Sequence, residues 1–299
     1  MVVRIWKSYR LSNVVIVGLT IFTFCEFLAG NVVEASHLPE FWDHVLLFML
    51  VGSTLFYGNL KNDFFDQKVD TENRKEHNAY FHFPKKLNKA LSFFALLSGV
   101  TSAAILSANS SYFFFVYWIV VHGLLWSYNL YLKKIMFAGN ILIALITAFT
   151  VFIPYYYYSF YHPITVTTGW SEVLLDPAAG KVMRVFFIMA FIVNWAREII
   201  KDILDQYGDQ VEGYKTMIIR WGLSRTITFI LFLHLFLTVG LAYIFFYCWA
   251  GVFLWSAILF GMSLLLTLLV FPLFITERFT YLRSAYKLIM LLALLALLF

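Results

Sequence analysis

The amino-acid sequence predicts an all-α integral membrane protein. Its composition, its long apolar runs and the positions of its basic residues support this class. Of its 299 residues, 62% are hydrophobic and only 13% are charged. Soluble domains carry about 25% charged residues, so this chain cannot cover its whole surface with polar groups. Part of that surface must therefore face lipid.

Apolar runs long enough to cross a bilayer recur along the chain and predict a bundle of nine transmembrane helices. About 20 apolar residues in a helix cross the hydrocarbon core. Such runs must be helical because lipid offers no hydrogen-bond partners to backbone amide groups. The expected spans lie near residues 11–29, 43–60, 89–108, 112–131, 138–157, 183–202, 225–247, 252–275 and 282–299. The segment 158–182 would then form the sizeable outer loop.

The basic residues predict the orientation, because cytoplasmic loops of membrane proteins carry the excess of Lys and Arg. With the N-terminus in the cytoplasm, all but two of the 22 Lys and Arg residues fall on the inner side; the exceptions are Lys181 and Arg184. The net charge of +5 therefore reflects orientation, and we expect no nucleic-acid binding. We expect the protein in a bacterial inner (cytoplasmic) membrane.

Two acidic motifs with the same spacing close two of the expected spans. The first is Asp63, Asp66 and Asp70, and the second is Asp202, Asp205 and Asp209. The two copies are offset by 139 residues at each position, and both follow a span that runs from outside to inside. The repeat predicts one pseudo-duplicated domain over residues 1–299, with both acidic helix ends facing the cytoplasm.

The acidic motifs have the composition of a magnesium site. Residues at i, i+3 and i+7 share one face of a helix, and carboxylates near a membrane are costly unless something compensates their charge. Asn62 adds an amide oxygen one turn before Asp66. Mg²⁺ prefers such oxygen ligands, and it usually binds one or two carboxylates together with water and substrate phosphate. Two acidic helix ends that face each other would bind a diphosphate through metal ions.

A prenyl diphosphate suits this combination of residues. Metal ions and Lys or Arg side chains neutralise the charge that develops on the leaving diphosphate. The allylic cation left behind needs a dry enclosure with aromatic faces, each of which stabilises it by roughly 0.5–2 kcal/mol. The chain supplies 33 Phe, 18 Tyr and 9 Trp residues. The sequence therefore predicts ionisation of a prenyl diphosphate.

The motifs also carry a family resemblance. Asn62-Asp63-x-x-Asp66-x-x-x-Asp70 looks like the N-D-x-x-D-x-x-x-D motif of the UbiA superfamily of intramembrane prenyltransferases. The segment Arg197–Asp209 is similar to the second Asp-rich segment of that family, and Gly213-Tyr214-Lys215-Thr216 follows it as in the family. Weaker matches are Arg10-x-x-Asn13 and the stretch from Tyr128 through Lys133 and Lys134 to Gly139-Asn140.

The resemblance implies a central cavity that opens to the cytoplasmic side, two Mg²⁺ ions and transfer of a polyprenyl group. The expected acceptor is an aromatic quinone precursor or a glycerophosphate lipid. Carried over by position, the metal ligands would be Asn62, Asp63, Asp66, Asp70, Asp202, Asp205 and Asp209. Diphosphate binding and catalysis would involve Arg10, Asn13, Lys133, Arg197 and Lys201, and cofactor binding would involve Tyr128 and Lys134.

The sequence departs from the family after the first motif. Many members continue with an N-x-P-x-R-P-like segment, whereas Asn73 is followed here by Arg74-Lys75-Glu76-His77-Asn78-Ala79-Tyr80. The two prolines of that pattern, and the Arg at its position between them, are missing. The resemblance therefore does not predict how the inner loop 71–88 is built.

Three other interpretations compete with prenyl transfer. The acidic residues could be solvated helix ends, or they could form a cation or proton path in a transporter. A UbiA-type terpene cyclase would use the same ionisation and capture the cation internally. His122 and His234 lie within spans, and we expect them to make helix contacts rather than bind metal.

Overall fold

The computed structural model describes residues 2–31, 41–75, 78–161, 179–251 and 253–299. Within these ranges the regular structure is helical, which confirms the all-α class. The helices are α1 Val2–Ser8, α2 Leu11–Asn31, α3 Phe41–Phe65, α4 Gln67–Glu72, α5 Ala79–His82, α6 Lys85–Asn109, α7 Phe113–Leu130, α8 Ala138–Phe149, α9 Phe152–Tyr161, α10 Ala179–Val211, α11 Met217–Ala250, α12 Leu254–Leu269, α13 Phe271–Ile275 and α14 Phe279–Leu295. Short 3-10 helices cover Leu132–Lys134 and Ala296–Leu298.

Eight segments of the described chain are long and apolar enough to cross a membrane. They are Leu11–Ala29, Phe41–Phe65, Lys85–Asn109, Phe113–Leu130, Ala138–Tyr158, Met217–Ala250, Leu254–Ile275 and Phe279–Leu298. They correspond to eight of the nine expected spans. The remaining one, 183–202, lies within α10, which carries Arg184, Arg197, Glu198 and Lys201. The total of nine stays a prediction, as does the outer loop, most of which (162–178) lies outside the described residues.

The chain divides into two compact units. The first contains residues 1–133 and 150–181, and the second contains residues 134–149 and 182–299. Each unit holds one of the two acidic motifs.

In the first unit, α3 packs against α2, α6 and α7. Small residues allow α3, α6 and α7 to approach closely, as is common between membrane helices. A Cβ atom at Gly99 of α6 would lie 2.8 Å from the indole nitrogen of Trp118 and 2.9 Å from the Ser53 hydroxyl. The resulting packing holds the C-terminal end of α3, where the first acidic motif begins.

In the second unit, α12 packs against α11 and α14, and His234 joins these three helices. Its Nε2 lies 3.0 Å from the Thr267 carbonyl and its Nδ1 lies 3.0 Å from the Tyr286 hydroxyl. The carbonyl can only accept, so Nε2–H donates to it and Nδ1 accepts from the hydroxyl. The predicted helix-contact role of His234 is confirmed.

Candidate active site

The first acidic motif crosses a helix break. Helix α3 ends at Phe65, and Asp66 has φ −90° and ψ 7° before α4 begins at Gln67. Hydrogen bonding continues through the break, since the Asp66 amide donates to the Asn62 carbonyl and the Asp70 amide donates to the Asp66 carbonyl, both at 2.8 Å. The helical face predicted for this motif is therefore interrupted at Asp66.

Asn62, Asp66 and Lys133 form one group. The Asn62 amide nitrogen donates to Asp66 Oδ2 at 2.8 Å. Lys133 Nζ forms an ion pair with Asp66 Oδ1, and it also lies 5.8 Å from the centre of the Phe65 ring. The other amide atom of Asn62, Oδ1, is buried without a hydrogen-bond partner. An unpaired buried acceptor is rare and costly, so this oxygen is suited to bind a cation.

Asp63 lies on α3 before the break and is almost fully buried, with 1% of its surface exposed. Its Oδ1 accepts from Arg10 Nη2 at 2.5 Å, and its Oδ2 accepts from the Ala79 amide at 3.0 Å. Arg10 joins α1 to α2 with φ 50°, a left-handed conformation that costs roughly 1–2 kcal/mol for a residue with a side chain. The ion pair with Asp63 helps to hold Arg10 in this conformation.

Asp70, the last residue of the first motif, faces the inner loop. Its Oδ2 accepts from the Asn78 side chain at 2.8 Å, and its Oδ1 lies 3.0 Å from Lys75 Nζ. Four of the predicted site residues of this unit, Arg10, Asp63, Asp66 and Lys133, are thus paired with one another, while Asp70 is paired with the loop.

The second acidic motif lies on an uninterrupted helix, α10. Asp202 Oδ2 accepts from the Asn140 side chain on α8 at 2.8 Å. Asp205 and Asp209 are buried and one turn apart, so they share a helix face. The main chain turns after this motif at Gly213, which has φ 73°.

The predicted basic residues of the second unit have several partners. Buried Arg197 donates from Nη1 to Asn194 Oδ1 at 3.0 Å, and Lys201 lies 3.6 Å from Glu198. Lys134 Nζ lies 5.7 Å from the centre of the Tyr214 ring. The main-chain carbonyl of Lys134 accepts from the Lys215 amide at 2.9 Å. This hydrogen bond joins the segment after Lys133 to the segment after the second motif.

Two further predicted residues lie on helices of the first unit. Asn13 is on the first turn of α2, and its Oδ1 is buried without a hydrogen-bond partner. Tyr128 is buried near the C-terminal end of α7.

The described residues fit magnesium better than a metal that needs a full protein cage. Among them, no three His, Cys, Asp or Glu side chains are grouped closely enough to hold a metal ion. Mg²⁺ does not need such a group, since one or two carboxylates with water and phosphate oxygens complete its shell. The unpaired oxygen of Asn62 beside the Asp66 carboxylate supplies ligands of this kind.

Sequence reasoning missed three residues that support the first motif, namely Tyr9, Asn78 and Asn88. The Tyr9 hydroxyl donates to Asn88 Oδ1 at 3.0 Å. Burial, and to a lesser degree the charge of Tyr80, raises the pKa of Tyr9 above its ordinary value, so the hydroxyl stays protonated and remains a donor. The one available indication was Asn78, because an Asn that precedes a short apolar segment is a frequent helix cap.

Comparison with known proteins agrees with this architecture. The UbiA prenyltransferase family model matches residues 23–298. The digeranylgeranylglyceryl phosphate synthase of Thermococcus sibiricus is 31% identical over 199 residues, which cover 67% of this chain and 63% of that protein. The match therefore spans less than two thirds of the length of this relative. It is an archaeal protein, so the expected bacterial membrane receives no support, and the orientation stays a prediction.

Solved structures of UbiA homologues share the fold. The apo structure of a homologue from Aeropyrum pernix K1 has a TM-score of 0.66 at 15% identity, over 94% of each chain. A homologue from Archaeoglobus fulgidus, bound to DMAPP and Mg²⁺, has a TM-score of 0.53 at 12% identity, over 97% of this chain and 98% of that one. With the family model matching nearly the whole sequence, this integral membrane protein belongs to the UbiA prenyltransferase family.

Proposed function

We propose that this chain is a Mg²⁺-dependent membrane prenyltransferase that moves a polyprenyl group from its diphosphate to a hydroxyl of a glycerophosphate lipid. The observation that carries the proposal is the Asn62–Asp66–Lys133 group, with its unpaired amide oxygen, in a member of this family. The named product of the Thermococcus relative, digeranylgeranylglyceryl phosphate, favours a glycerophosphate acceptor over an aromatic one.

The metal ligands we propose are Asn62 and Asp66 in the first unit and Asp205 and Asp209 in the second. Mg²⁺ in the Archaeoglobus homologue supports this choice of ion, and two ions remain our expectation. When bound, Mg²⁺ supplies positive charge to the diphosphate oxygens and so improves the leaving group. The other three predicted ligands, Asp63, Asp70 and Asp202, accept hydrogen bonds within their own units, and we assign them a supporting role.

The basic side chains complete the binding of the diphosphate. Lys133 is held beside Asp66, and Arg10 is held by Asp63. In the second unit, Arg197 and Lys201 would serve the same purpose. Preorganised cations stabilise the charge that develops as the bond between the prenyl carbon and the diphosphate oxygen breaks.

An aromatic stripe begins next to Asp66 and is suited to stabilise the carbon cation. The Phe65 ring lies 6.3 Å from that of Trp126 on α7, and the Trp126 indole donates to the Tyr57 hydroxyl at 3.4 Å. The bonding electrons leave with the diphosphate, and the positive charge stays on the allylic carbon next to these rings. The acceptor oxygen then bonds to this carbon, and the acceptor proton is released.

The test is a reconstitution with defined substrates. Purified protein, Mg²⁺ and prenyl diphosphates of several lengths, including geranylgeranyl diphosphate, are incubated with a glyceryl phosphate that carries one prenyl ether, with aromatic acceptors, or with no acceptor. We expect pyrophosphate release and a doubly prenylated glyceryl phosphate by mass spectrometry. Product formed without an acceptor would indicate a cyclase instead, and no pyrophosphate under any condition would refute the proposal.

A further inference from the structure

The inner loop that departs from the family pattern is joined to the first acidic motif by a buried polar network. Asn78 is at its centre, with 2% of its surface exposed. A polar side chain this deeply buried is tolerated when its hydrogen-bonding groups are paired. The hydrogen-bond partners of Asn78 therefore show which residues this segment contacts.

Asn78 uses both ends of its side-chain amide. The nitrogen donates to the Asp63 carbonyl and to Asp70 Oδ2, each at 2.8 Å. The oxygen accepts from the Tyr80 amide at 2.9 Å and so caps the short helix α5. One residue thus joins the start of α5 to two residues of the acidic motif. Aspartate at this position could keep the cap but could not donate.

The cap places the next residue, Ala79, against Asp63. The Ala79 amide donates to Asp63 Oδ2 at 3.0 Å, while Asp63 Oδ1 accepts from Arg10. Each carboxylate oxygen of Asp63 therefore has a partner, one in the loop and one at the junction of α1 and α2. The loop and Arg10 therefore bind the same carboxylate, and Arg10 Nη1 also donates to Asn59 Oδ1 at 3.5 Å.

A second set of contacts holds Tyr9, the residue before Arg10. Asn88, at the start of α6, donates to the Ala79 carbonyl at 3.1 Å and accepts from the Tyr9 hydroxyl. The Tyr9 ring also stacks on Phe83 with the ring centres 5.0 Å apart. Two residues that follow α5, Phe83 and Asn88, therefore contact Tyr9, the residue immediately before Arg10.

We propose that Asn78 is a positioning residue that holds Arg10 for the prenyl diphosphate through Asp63. This inference rests on the proposed function. It also separates the first motif into two pairs. Asp63 and Asp70 hold the loop and Arg10, whereas Asn62 and Asp66 hold the metal. The hydrogen bonds of Asn78 hold the start of α5 against the first acidic motif without the prolines of the family pattern.

The principal test is Asn78→Asp, which keeps the size of the side chain and the acceptor for Tyr80. It removes both donors and places a second carboxylate next to Asp70. We expect the KM for prenyl diphosphate to rise about tenfold, the effect of a misplaced hydrogen-bonded charge, while kcat stays within about threefold. The Mg²⁺ concentration for half-maximal rate should not change. An unchanged KM would overturn the proposal.

A matched control separates positioning from general loss of stability. Leu106 is fully buried near the far end of α6, about 30 Å along the helix from its first residue. Leu106→Ala should lower the melting temperature at least as much as Asn78→Asp and leave the KM unchanged. The same rise in KM in both variants would mean that Asn78 has only a structural role.

A double-mutant cycle tests whether Asn78 acts through Arg10. Arg10→Ala should raise the KM for prenyl diphosphate by itself, and adding Asn78→Asp should raise it no further, because the positioned group is already absent. If the two effects multiply, Asn78 acts by another route and the proposed chain of contacts is wrong.

A binding measurement keeps this inference separate from the proposed reaction. Isothermal titration with Mg²⁺ and inorganic pyrophosphate needs no acceptor and no turnover. We expect Asn78→Asp to weaken pyrophosphate binding about tenfold relative to wild type and to Leu106→Ala. If this difference appears although no product forms with any acceptor, the positioning role stands and the proposed reaction fails. Equal binding by wild type and Asn78→Asp refutes the positioning role in either case.

Discussion

The two acidic motifs share their spacing but differ in local structure. The first crosses a helix break at Asp66, and its carboxylates are paired with the cations Arg10, Lys75 and Lys133. The second lies on the uninterrupted helix α10, and Asp202 is paired with the neutral amide of Asn140. Equal spacing along the chain therefore does not produce equal partners. Partners come from neighbouring elements, which differ between the two units.

The main chain immediately after the two motifs is alike. Four residues after the last Asp of each motif, the chain adopts a left-handed conformation, at Arg74 with φ 51° and at Gly213 with φ 73°. The next amide donates back to the carbonyl of that Asp, from Lys75 to Asp70 at 2.9 Å and from Tyr214 to Asp209 at 2.8 Å. The repeat thus extends from the acidic residues to the end of each helix.

The largest expected effect tests whether both motifs serve one reaction. Asp66→Ala and Asp205→Ala should each lower kcat by at least about a hundredfold, because each removes a proposed metal ligand together with its charge. The measurement is pyrophosphate release by folded protein, checked by its melting profile. Glu72→Ala and Glu212→Ala remove exposed carboxylates near the same motifs and should keep wild-type rates. Full activity in either Asp variant would contradict a shared reaction.

The cations of the two units should differ in their contribution to stability. Lys133 forms a largely buried ion pair with Asp66, so Lys133→Met leaves a buried carboxylate without its cation and should destabilise the protein by about 3 kcal/mol. Lys201→Met removes a longer contact to Glu198 on the same helix and should cost less than about 1 kcal/mol. Denaturant unfolding in detergent measures both. Equal losses of stability in the two variants would contradict a larger contribution from the Lys133–Asp66 ion pair.

The amide side chains should differ in their effect on metal affinity. Asn62→Ala removes a proposed ligand and should raise the Mg²⁺ concentration for half-maximal rate at least about tenfold. Asn140→Ala removes a hydrogen bond to Asp202 and should change that Mg²⁺ concentration less than Asn62→Ala does. A titration of the rate with Mg²⁺ at saturating prenyl diphosphate gives both values. The reverse order would assign the metal to Asp202 rather than to Asn62.

The smallest effects concern the two turns, and they should have opposite signs. Arg74→Gly relieves a left-handed conformation at a residue with a side chain and should stabilise the protein by about 1 kcal/mol. Gly213→Ala introduces the same strain, although nothing lies within 4 Å of its added Cβ, and should destabilise by a similar amount. Arg74→Ala is the control, since it removes the charge without relieving the strain. If Arg74→Gly and Gly213→Ala shift the melting temperature in the same direction, the two turns do not share a left-handed conformation.

Composition and periodicity were sufficient to predict the fold class, most of the spans and the repeated acidic motif. The reason is physical. A bilayer imposes a length and an apolar surface on each spanning helix, and both can be counted along the chain. Spacing within one helix also places Asp205 next to Asp209 without any knowledge of the rest of the molecule. These properties are local, so a single sequence contains them.

The partners of each carboxylate required the folded structure. Arg10 lies 53 residues from Asp63, and Lys133 lies 67 residues from Asp66. The break at Asp66 and the loop through Asn78 decide which carboxylates of one motif hold the main chain and which remain beside the unpaired oxygen of Asn62. Such contacts depend on how α1, α3 and the inner loop pack, and no spacing rule along the chain contains that information.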